Sequence, residues 1–282
     1  MWAHIGLVYA AVVWGATFVT VKDALVGVDP VTMVAYRFLI AGVVLLVWLL
    51  VKRRPLFRDF GKGAILSVCL AGLYIAQTVG LQYTTATNSG FITGLFVLFV
   101  PVLMIAAFKT RPNIMEWIAC VVSLAGLWVL TGGMRDVNIG DVMTILSAAA
   151  YALHLLFGDR YMKAGADPIR ISCQQFMLVG IMCVLISAAT GRSFAVTGTS
   201  TWVAIIFLGL FPTLSAFVIM LLAQRTLSAL RVSLIVALEP VFAAAFAWTI
   251  GGEMYSAQSI IGGFLIVTAL AVTGLNPPKR RP

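Results

Sequence analysis

Charged side chains are scarce in this sequence. They make up 10% of its 282 residues, whereas hydrophobic residues make up 61%. Soluble domains average about 25% charged residues and about half apolar ones, because their surfaces must be wetted. A water-soluble fold of this length could not hide so much apolar surface. The composition therefore predicts an integral membrane protein, in which lipid is the solvent for most of the surface.

Metal-binding and catalytic patterns are also missing. The two histidines, His4 and His154, are too few for a histidine-built metal site. The four cysteines form no C-x-x-C pair, and we interpret them as small packing residues. The sequence contains no Walker G-x-x-x-x-G-K-[ST] motif, no G-x-S-x-G and no H-E-x-x-H. We therefore expect no metal, no cofactor and no catalytic residue, and no direct use of ATP.

The net charge of +9 would suggest nucleic acid as a partner if the protein were soluble. Here the basic residues form short clusters between long apolar runs. Such clusters are topology signals and contacts to anionic lipid headgroups. We therefore expect the lipid bilayer, and no nucleic acid, as a partner.

Ten apolar runs are long enough to cross a bilayer as helices, which requires about 20 residues each. The first lacks a basic leader and holds Trp14, so we interpret it as a retained helix and not as a signal peptide. The predicted spans are 4–22, 31–51, 64–82, 88–108, 114–132, 141–160, 169–189, 201–222, 229–250 and 258–275.

The basic residues divide unevenly between the two sets of loops. Alternate loops and the tail hold fifteen lysines and arginines, and the other loops hold three. The positive-inside rule then predicts that both termini are cytoplasmic, in a bacterial-type inner (plasma) membrane.

The two halves of the sequence resemble each other. Asp29-Pro30 precedes the second span, and Asp167-Pro168 precedes the seventh. Pro101-Val102 lies in the fourth span and Pro240-Val241 in the ninth. Five spans per copy is an odd number, so the copies must run through the membrane in opposite directions, as in many secondary transporters. We predict an all-α membrane protein of two inverted five-helix repeats, residues 1–137 and 138–282.

Several short motifs, in order, resemble the EamA domain of the drug/metabolite transporter superfamily, in two copies that cover essentially the whole chain. They are Trp14-Gly15-Ala16-Thr17-Phe18, Tyr36-Arg37-Phe38, Leu238-Glu239-Pro240-Val241, Gly251-Gly252-Glu253 and Gly262. The resemblance implies ten helices, cytoplasmic termini, a central cavity and export of amino acids or related metabolites without ATP. The copies are not equivalent, because Ala152 and Gln175 stand near where the first copy has Trp14 and Arg37.

Polar residues on two spans predict the walls of a cavity. Tyr74, Gln77 and Thr78 are spaced i, i+3 and i+4 and so share one helix face, and Tyr151 and His154 share a face of the sixth span. Aromatic faces, amides and hydroxyls together suit an amphipathic metabolite. Trp14 joins this set because it lies in mid-span, whereas most membrane tryptophans lie at the interface. The alternative for these residues is polar contact between helices.

Three residues are interpreted as gate or ion-pair positions. Arg37 lies roughly 9 Å inside its span, where it either pairs with Asp23 or Asp29 in an outer gate or meets a substrate carboxylate. Gln174 and Gln175 occupy the corresponding region of the inverted copy, and we assign them to an inner gate.

Glu239 lies near the midplane of the ninth span. A carboxyl in apolar surroundings retains a proton more readily than one in water, which a proton-coupled carrier needs. The alternative is that Glu239 satisfies backbone groups freed by the adjacent Pro240. Pro101 and Pro240 are predicted helix kinks.

These patterns favour a secondary transporter of small organic metabolites, with aromatic or neutral amino acids preferred and alternating access as the mechanism. Carriage of nucleotide-linked compounds is the alternative, although only Arg37 would supply a central cation. An intramembrane enzyme and a receptor or scaffold are the remaining classes. The enzyme is disfavoured because the sequence holds no nucleophile motif, and the receptor or scaffold because it has no large loops and would not explain the repeat. One chain holds both halves, so a monomer suffices.

Overall fold

The computed structural model describes residues 2–133, 137–249 and 256–274. Helices dominate these ranges, and the one β-type contact in them is a bridge between Val28 and Val196. The helices are α1 Trp2–Gly15, α2 Thr17–Ala24, α3 Pro30–Val51, α4 Phe60–Gly80, α5 Ala86–Gly94, α6 Phe96–Ala106, α7 Ile114–Thr131, α8 Ile139–Lys163, α9 Pro168–Ala189, α10 Thr199–Leu208, α11 Ala216–Ala223, α12 Ala229–Val236, α13 Glu239–Thr249 and α14 Ala257–Gly274. A π-helical segment, Gly209–Ser215, joins α10 to α11.

The described helices form nine segments that are long and apolar enough to cross a membrane, and α14 is a shorter tenth. Four spans contain more than one helix: α1 with α2, α5 with α6, α10 with α11, and α12 with α13. Each predicted span coincides with one of these segments. The prediction of an all-α protein with about ten membrane helices in two inverted repeats of five is confirmed.

The packing of the helices follows the repeat. The second spans of the two copies, α3 and α9, lie along each other, and the fifth spans, α7 and α14, do the same. The third span of the first copy, α4, packs on α8, the first span of the second copy. The reciprocal pair, α1 and α11, also packs together. Such reciprocal contacts are what a pseudo-two-fold axis between the copies produces.

The Asp-Pro landmarks begin equivalent helices in the two copies. The Asp29 carboxylate accepts hydrogen bonds from the backbone of Val31 and Thr32 at the start of α3. The Asp167 carboxylate accepts the equivalent bonds from Ile169 and Arg170 at the start of α9. In both, proline takes the first helical position, where its missing N–H costs nothing.

In each of the four spans that contain more than one helix, the regular α-helix is interrupted near the middle of the bundle. The breaks lie at Ala16, Leu95, the π-helical segment and Ala237–Leu238. Irregular backbone at membrane depth is tolerated only inside protein or beside a water-filled cavity. Pro101 lies within α6, six residues after the break at Leu95, and Pro240 is the second residue of α13.

Gly262 has a packing reason within the fold. A methyl group on it would collide with the Leu130 backbone of α7, and one on Gly126 would lie 2.8 Å from the Gly262 carbonyl oxygen. The two glycines let α7 and α14 approach closely, as small residues do between membrane helices. The similar Gly251-Gly252-Glu253 motif and the basic residues of the C-terminal tail lie outside the described residues.

Candidate functional site

The breaks surround a cleft between the two repeats. The cleft encloses about 340 Å³, including the part that is open to solvent. It is lined by Trp14, Thr17, Leu73, Tyr74, Gln77, Thr93, Tyr151, Phe217 and Glu239. Five of these, Trp14, Tyr74, Gln77, Tyr151 and Glu239, were singled out from the sequence, and they come from four different spans.

Aromatic rings form one wall of the cleft. The Trp14 ring meets the Phe217 ring edge-on at 5.1 Å and the Tyr151 ring at 6.2 Å, measured between centroids. The Tyr74 and Phe217 centroids lie 5.9 Å apart. The Trp14 indole Nε1 donates to the carbonyl oxygen of Pro212, in the π-helical segment, at 2.8 Å. That bond satisfies the indole N–H of a buried tryptophan and fixes its ring against the second repeat.

The polar wall comes mainly from α4 and α5. Gln77 Nε2 donates to Thr93 Oγ1 at 2.9 Å, so the two side chains hold each other at the edge of the cleft. Thr17 Oγ1 donates to the Trp14 carbonyl at 2.8 Å, one turn back along the chain. Thr78 is buried and does not line the cleft, although it shares the helix face of Tyr74.

Glu239 is the acidic residue of the cleft. It is 7% exposed, and its carboxyl makes no hydrogen bond or ion pair within the described ranges. It lies close enough to Tyr74 and Tyr151 to interact electrostatically with both phenol groups. An acidic side chain at this depth is costly without a partner, and groups of this kind mark transport pathways.

Arg37 lies behind the Tyr74 wall and is 1% exposed. Its Nε donates to Thr213 Oγ1 of the π-helical segment at 3.0 Å, and its Cζ lies 4.5 Å from the centroid of the Tyr74 ring. Its Nη2 atom is buried and has no hydrogen-bond partner.

The ion pair of Arg37 with Asp23 or Asp29, suggested from the sequence, is absent from the described residues. Asp29 instead pairs with Arg192 of the loop after α9, with 3.0 Å between Nη1 and Oδ2. Arg37 lies about two turns deeper than Asp29, beyond the reach of that carboxylate.

His154 does not line the cleft, although the sequence placed it there with Tyr151. Its Nε2 and Gln175 Oε1 are 2.8 Å apart, and its ring meets the Phe217 ring edge-on at 5.6 Å. His154 Nδ1 and Gln175 Nε2 are buried without partners. Phe217 lines the cleft, whereas His154 and Gln175 form a buried polar pair next to Phe217 and outside the cleft lining.

Gln174 holds the loop between α3 and α4. Its Nε2 donates to the carbonyl oxygens of Leu56 at 2.6 Å and Arg58 at 3.0 Å. Its counterpart in the first copy is Tyr36, whose hydroxyl donates to the Phe194 carbonyl at 2.8 Å in the loop between α9 and α10. Equivalent helices thus hold equivalent loops on opposite faces of the protein.

Each face also has a charged cluster. On the face opposite the N terminus, Lys22 Nζ donates to the Thr84 carbonyl at 3.0 Å, and Thr84 Oγ1 donates to Asp141 Oδ1 at 2.5 Å. On the other face, Lys62 Nζ lies 2.8 Å from Asp59 Oδ1. That hydrogen bond lowers the pKa of the Asp59 carboxyl. The first cluster joins the end of α2, the segment after α4 and the start of α8, whereas the second lies within the start of α4.

Four lining residues were missed from the sequence: Thr17, Leu73, Thr93 and Phe217. Thr17 had a signal, since it is three residues after Trp14 and so lies on the same helix face. Leu73 and Phe217 are apolar residues in apolar runs, which nothing in a single sequence distinguishes from lipid-facing positions. The π-helical segment accepts hydrogen bonds from Trp14 and Arg37, and no sequence pattern predicted it.

Family comparison matches this chain twice. The model of the EamA-like transporter family matches residues 1–132 and again residues 138–275. A similar protein of Archaeoglobus fulgidus, named an uncharacterized transporter, is 27% identical over 98% of this chain and 87% of its own. The uncharacterized transporter YwfM of Bacillus subtilis is 27% identical over 96% and 93%. The uncharacterized inner membrane transporter YedA of Escherichia coli K12 is 24% identical over 94% and 88%.

A solved crystal structure has the same fold. It aligns with a TM-score of 0.81 over 97% of this chain and 97% of its own, at 19% sequence identity. The family match places one copy of the domain on each side of the cleft, and these relatives have nearly the same length as this chain.

Proposed function

Since the chain belongs to the EamA-like transporter family, we propose that it is a secondary transporter which carries small organic metabolites through the cleft by alternating access. The observation that supports this most is the origin of the lining residues. Six come from the first repeat and three, Tyr151, Phe217 and Glu239, from the second. A site made by both repeats changes its exposure when one repeat moves against the other.

The lining of the cleft supports an amphipathic substrate such as an aromatic or neutral amino acid. Aromatic rings would hold the substrate body, and the Gln77 amide and the Glu239 carboxyl would meet its polar groups. Among the described residues no cationic side chain lines the cleft, and this lining does not favour a nucleotide-linked compound.

Alternating access requires a gate on each side of the site. We assign the inner gate to His154, Gln174 and Gln175, whose unpartnered buried atoms would find water if the helices parted. We assign Arg37 to the outer half, through its bond to the π-helical segment. The helix breaks near Pro101 and Pro240 supply positions where spans 4 and 9 could bend.

Glu239 is our candidate for proton coupling, because it is the unpartnered acid of the cleft. If it carries the driving proton, transport must depend on its ability to ionise. We place both termini in the cytoplasm and the protein in the inner membrane. The basic-residue distribution supports this orientation, and a relative named as an inner membrane transporter supports the location. A monomer suffices, since one chain supplies both halves.

The test is uptake of radiolabelled amino acids into liposomes that hold the purified protein, with and without a proton gradient. We expect saturable uptake that the gradient stimulates. Glu239→Gln should abolish the stimulation, whereas Glu116→Gln, which changes the half-buried capping-box carboxylate at the start of α7, away from the cleft, should retain it. Gradient-stimulated uptake by Glu239→Gln would refute the coupling role, and the absence of uptake by folded protein would refute amino acid transport.

A further inference from the structure

Two adjacent residues of the π-helical segment hold side chains of the first repeat. Trp14 Nε1 donates to the Pro212 carbonyl oxygen at 2.8 Å, and Arg37 Nε donates to Thr213 Oγ1 at 3.0 Å. We propose that Thr213, which is buried outside the cleft lining, is a positioning residue: its hydroxyl fixes the π-helical turn and Arg37 together, and through them the rings of Trp14 and Tyr74 in the cleft wall. This role rests on the proposed function, since the cleft is the proposed substrate site.

The Thr213 hydroxyl is used as a donor and as an acceptor. It donates to the Leu208 carbonyl oxygen at 2.8 Å, five residues back along the chain, which is the spacing of a π-helical turn. It also accepts the hydrogen bond from Arg37 Nε. Thr213 is 0% exposed, so water does not compete for either bond. Hydrogen bonds that are linked in this way polarise one another, and each is stronger than it would be alone.

The π-helical turn requires this support and also directs one ring of the cleft. Pro212 has no backbone N–H, so the segment has one donor fewer for its own carbonyl groups. Because a π-helical turn holds one residue more than an α-helical turn, its conversion to α-helix would rotate the residues that follow by about 100°. Phe217 lies two residues after the segment and lines the cleft, so the direction of its ring depends on the turn.

Arg37 connects Thr213 to the Tyr74 ring. The Cζ atom of Arg37 lies 4.5 Å from the centroid of that ring, which is within the range of a cation–π contact. A guanidinium is a rigid planar group, so a bond that holds its Nε also restricts the plane of the rest. The backbones meet here too, because a methyl group on Gly209 would lie 3.1 Å from the Arg37 carbonyl oxygen. Thr213 therefore sets the position of the cation on which Tyr74 rests.

Three rings of the cleft thus depend on one segment. Trp14 is bonded to it, Tyr74 is connected to it through Arg37, and Phe217 follows it in the chain. The Phe217 centroid lies 5.1 Å from that of Trp14 and 5.9 Å from that of Tyr74, so a change in one ring affects the others. Loss of the Thr213 hydroxyl should therefore displace the aromatic wall of the cleft as a unit.

The experiment follows two of these rings in the absence of any substrate. The purified full chain is labelled with 5-fluorotryptophan or with 3-fluorotyrosine, placed in nanodiscs and studied by fluorine NMR. The chain has seven residues of each type, and the resonances of Trp14 and Tyr74 are assigned by their loss in Trp14→Phe and Tyr74→Phe. Thr213→Val keeps the shape of the side chain and removes the hydroxyl, whereas Thr213→Ser keeps the hydroxyl.

We expect Thr213→Val to shift both resonances by more than their line widths and Thr213→Ser to leave both in place. Displacement of tritiated phenylalanine should show about ten-fold weaker binding to Thr213→Val, which corresponds to about 1.4 kcal/mol, and unchanged binding to Thr213→Ser. The matched control is Thr268→Val on α14, which removes a similar bond, from Oγ1 to the Phe264 carbonyl oxygen at 2.8 Å, and should change neither the resonances nor the binding.

A hydroxyl that only stabilises the fold would lower the melting temperature and leave the ring resonances of the folded protein unchanged. Unchanged resonances in folded Thr213→Val would therefore refute the positioning role, whether or not the protein transports amino acids. Equal shifts in Thr213→Ser and Thr213→Val would also refute it, since the hydroxyl would not be their cause. Shifts in Thr213→Val alone, in a folded protein that binds no compound, would support the positioning of the rings while the proposed function fails. If Thr213→Val does not fold, Thr213→Ala takes its place, because its smaller side chain leaves room for a water molecule at Arg37 Nε.

Discussion

Gly15 lies where α1 touches α13, directly beside the cleft. A methyl group on Gly15 would lie 2.9 Å from each of three α13 atoms: Ala243 N, Glu239 O and Phe242 Cβ. Two of these are backbone atoms, which cannot move aside as a flexible side chain can. We expect Gly15→Ala to push α13 away from α1 and to displace Glu239 with it.

The magnitude follows from two opposing effects. Overpacking a well-packed interior costs about 1–3 kcal/mol. Replacing glycine by alanine in a helix returns up to about 1 kcal/mol of intrinsic propensity. Returning the full propensity gain leaves a net destabilisation of about 0–2 kcal/mol, towards the upper end because two of the three close atoms are backbone, and transport should fall in parallel. The matched control is Gly61→Ala near the start of α4, where an added methyl group would have no neighbour within 4 Å.

The protein carries its own reporters for this measurement. Cys120, Cys173 and Cys183 are buried and free, so a thiol-reactive dye labels them only when the helices separate. We expect Gly15→Ala to label at a lower temperature than the unaltered protein, and Gly61→Ala at the same or a higher one. If Gly15→Ala melts no lower than Gly61→Ala and transports normally, the close contact of α1 with α13 does not position Glu239.

The remaining predictions concern Gln77 in the cleft, His154 outside it, and Asp59 at the start of α4. Gln77→Leu should lose the bond to Thr93 and lower substrate affinity several-fold, measured by ligand displacement, with an unchanged melting temperature. His154→Phe should alter the transport rate more than affinity, since His154 lies outside the cleft; an equal loss of both would contradict this. Asp59 contributes stability above its unfolded pKa of about 4, because its folded pKa is lowered, and loses it as the pH falls further. The stability difference between Asp59→Asn and the unaltered protein should therefore shrink from pH 7 towards pH 3.

The broad architecture was predictable because it follows from local properties of the chain. Runs of apolar residues match the thickness of a bilayer, and each must satisfy its own backbone as a helix. The Asp-Pro pairs mark equivalent helix starts, since their caps act within three residues of sequence. Much of the cleft was also predictable, because a polar or aromatic residue in mid-span stands out against its apolar neighbours.

Partners across the bundle were not predictable. Arg37 was expected to pair with an acid near it in sequence, yet it bonds to Thr213, 176 positions away. Trp14 likewise bonds to Pro212, in a π-helical segment that the sequence presents as an ordinary apolar run. His154 shares a helix face with Tyr151, but the position of Phe217 places it outside the cleft.

The sequence by itself thus determined the membrane environment, the helices and the repeat, since these depend on hydrophobicity and on contacts between near neighbours. Only the tertiary structure decided which polar side chains meet, which remain unpartnered and which face the cleft. Those outcomes depend on the angle and depth at which helices from opposite repeats pack, and residues far apart in the chain set that geometry together.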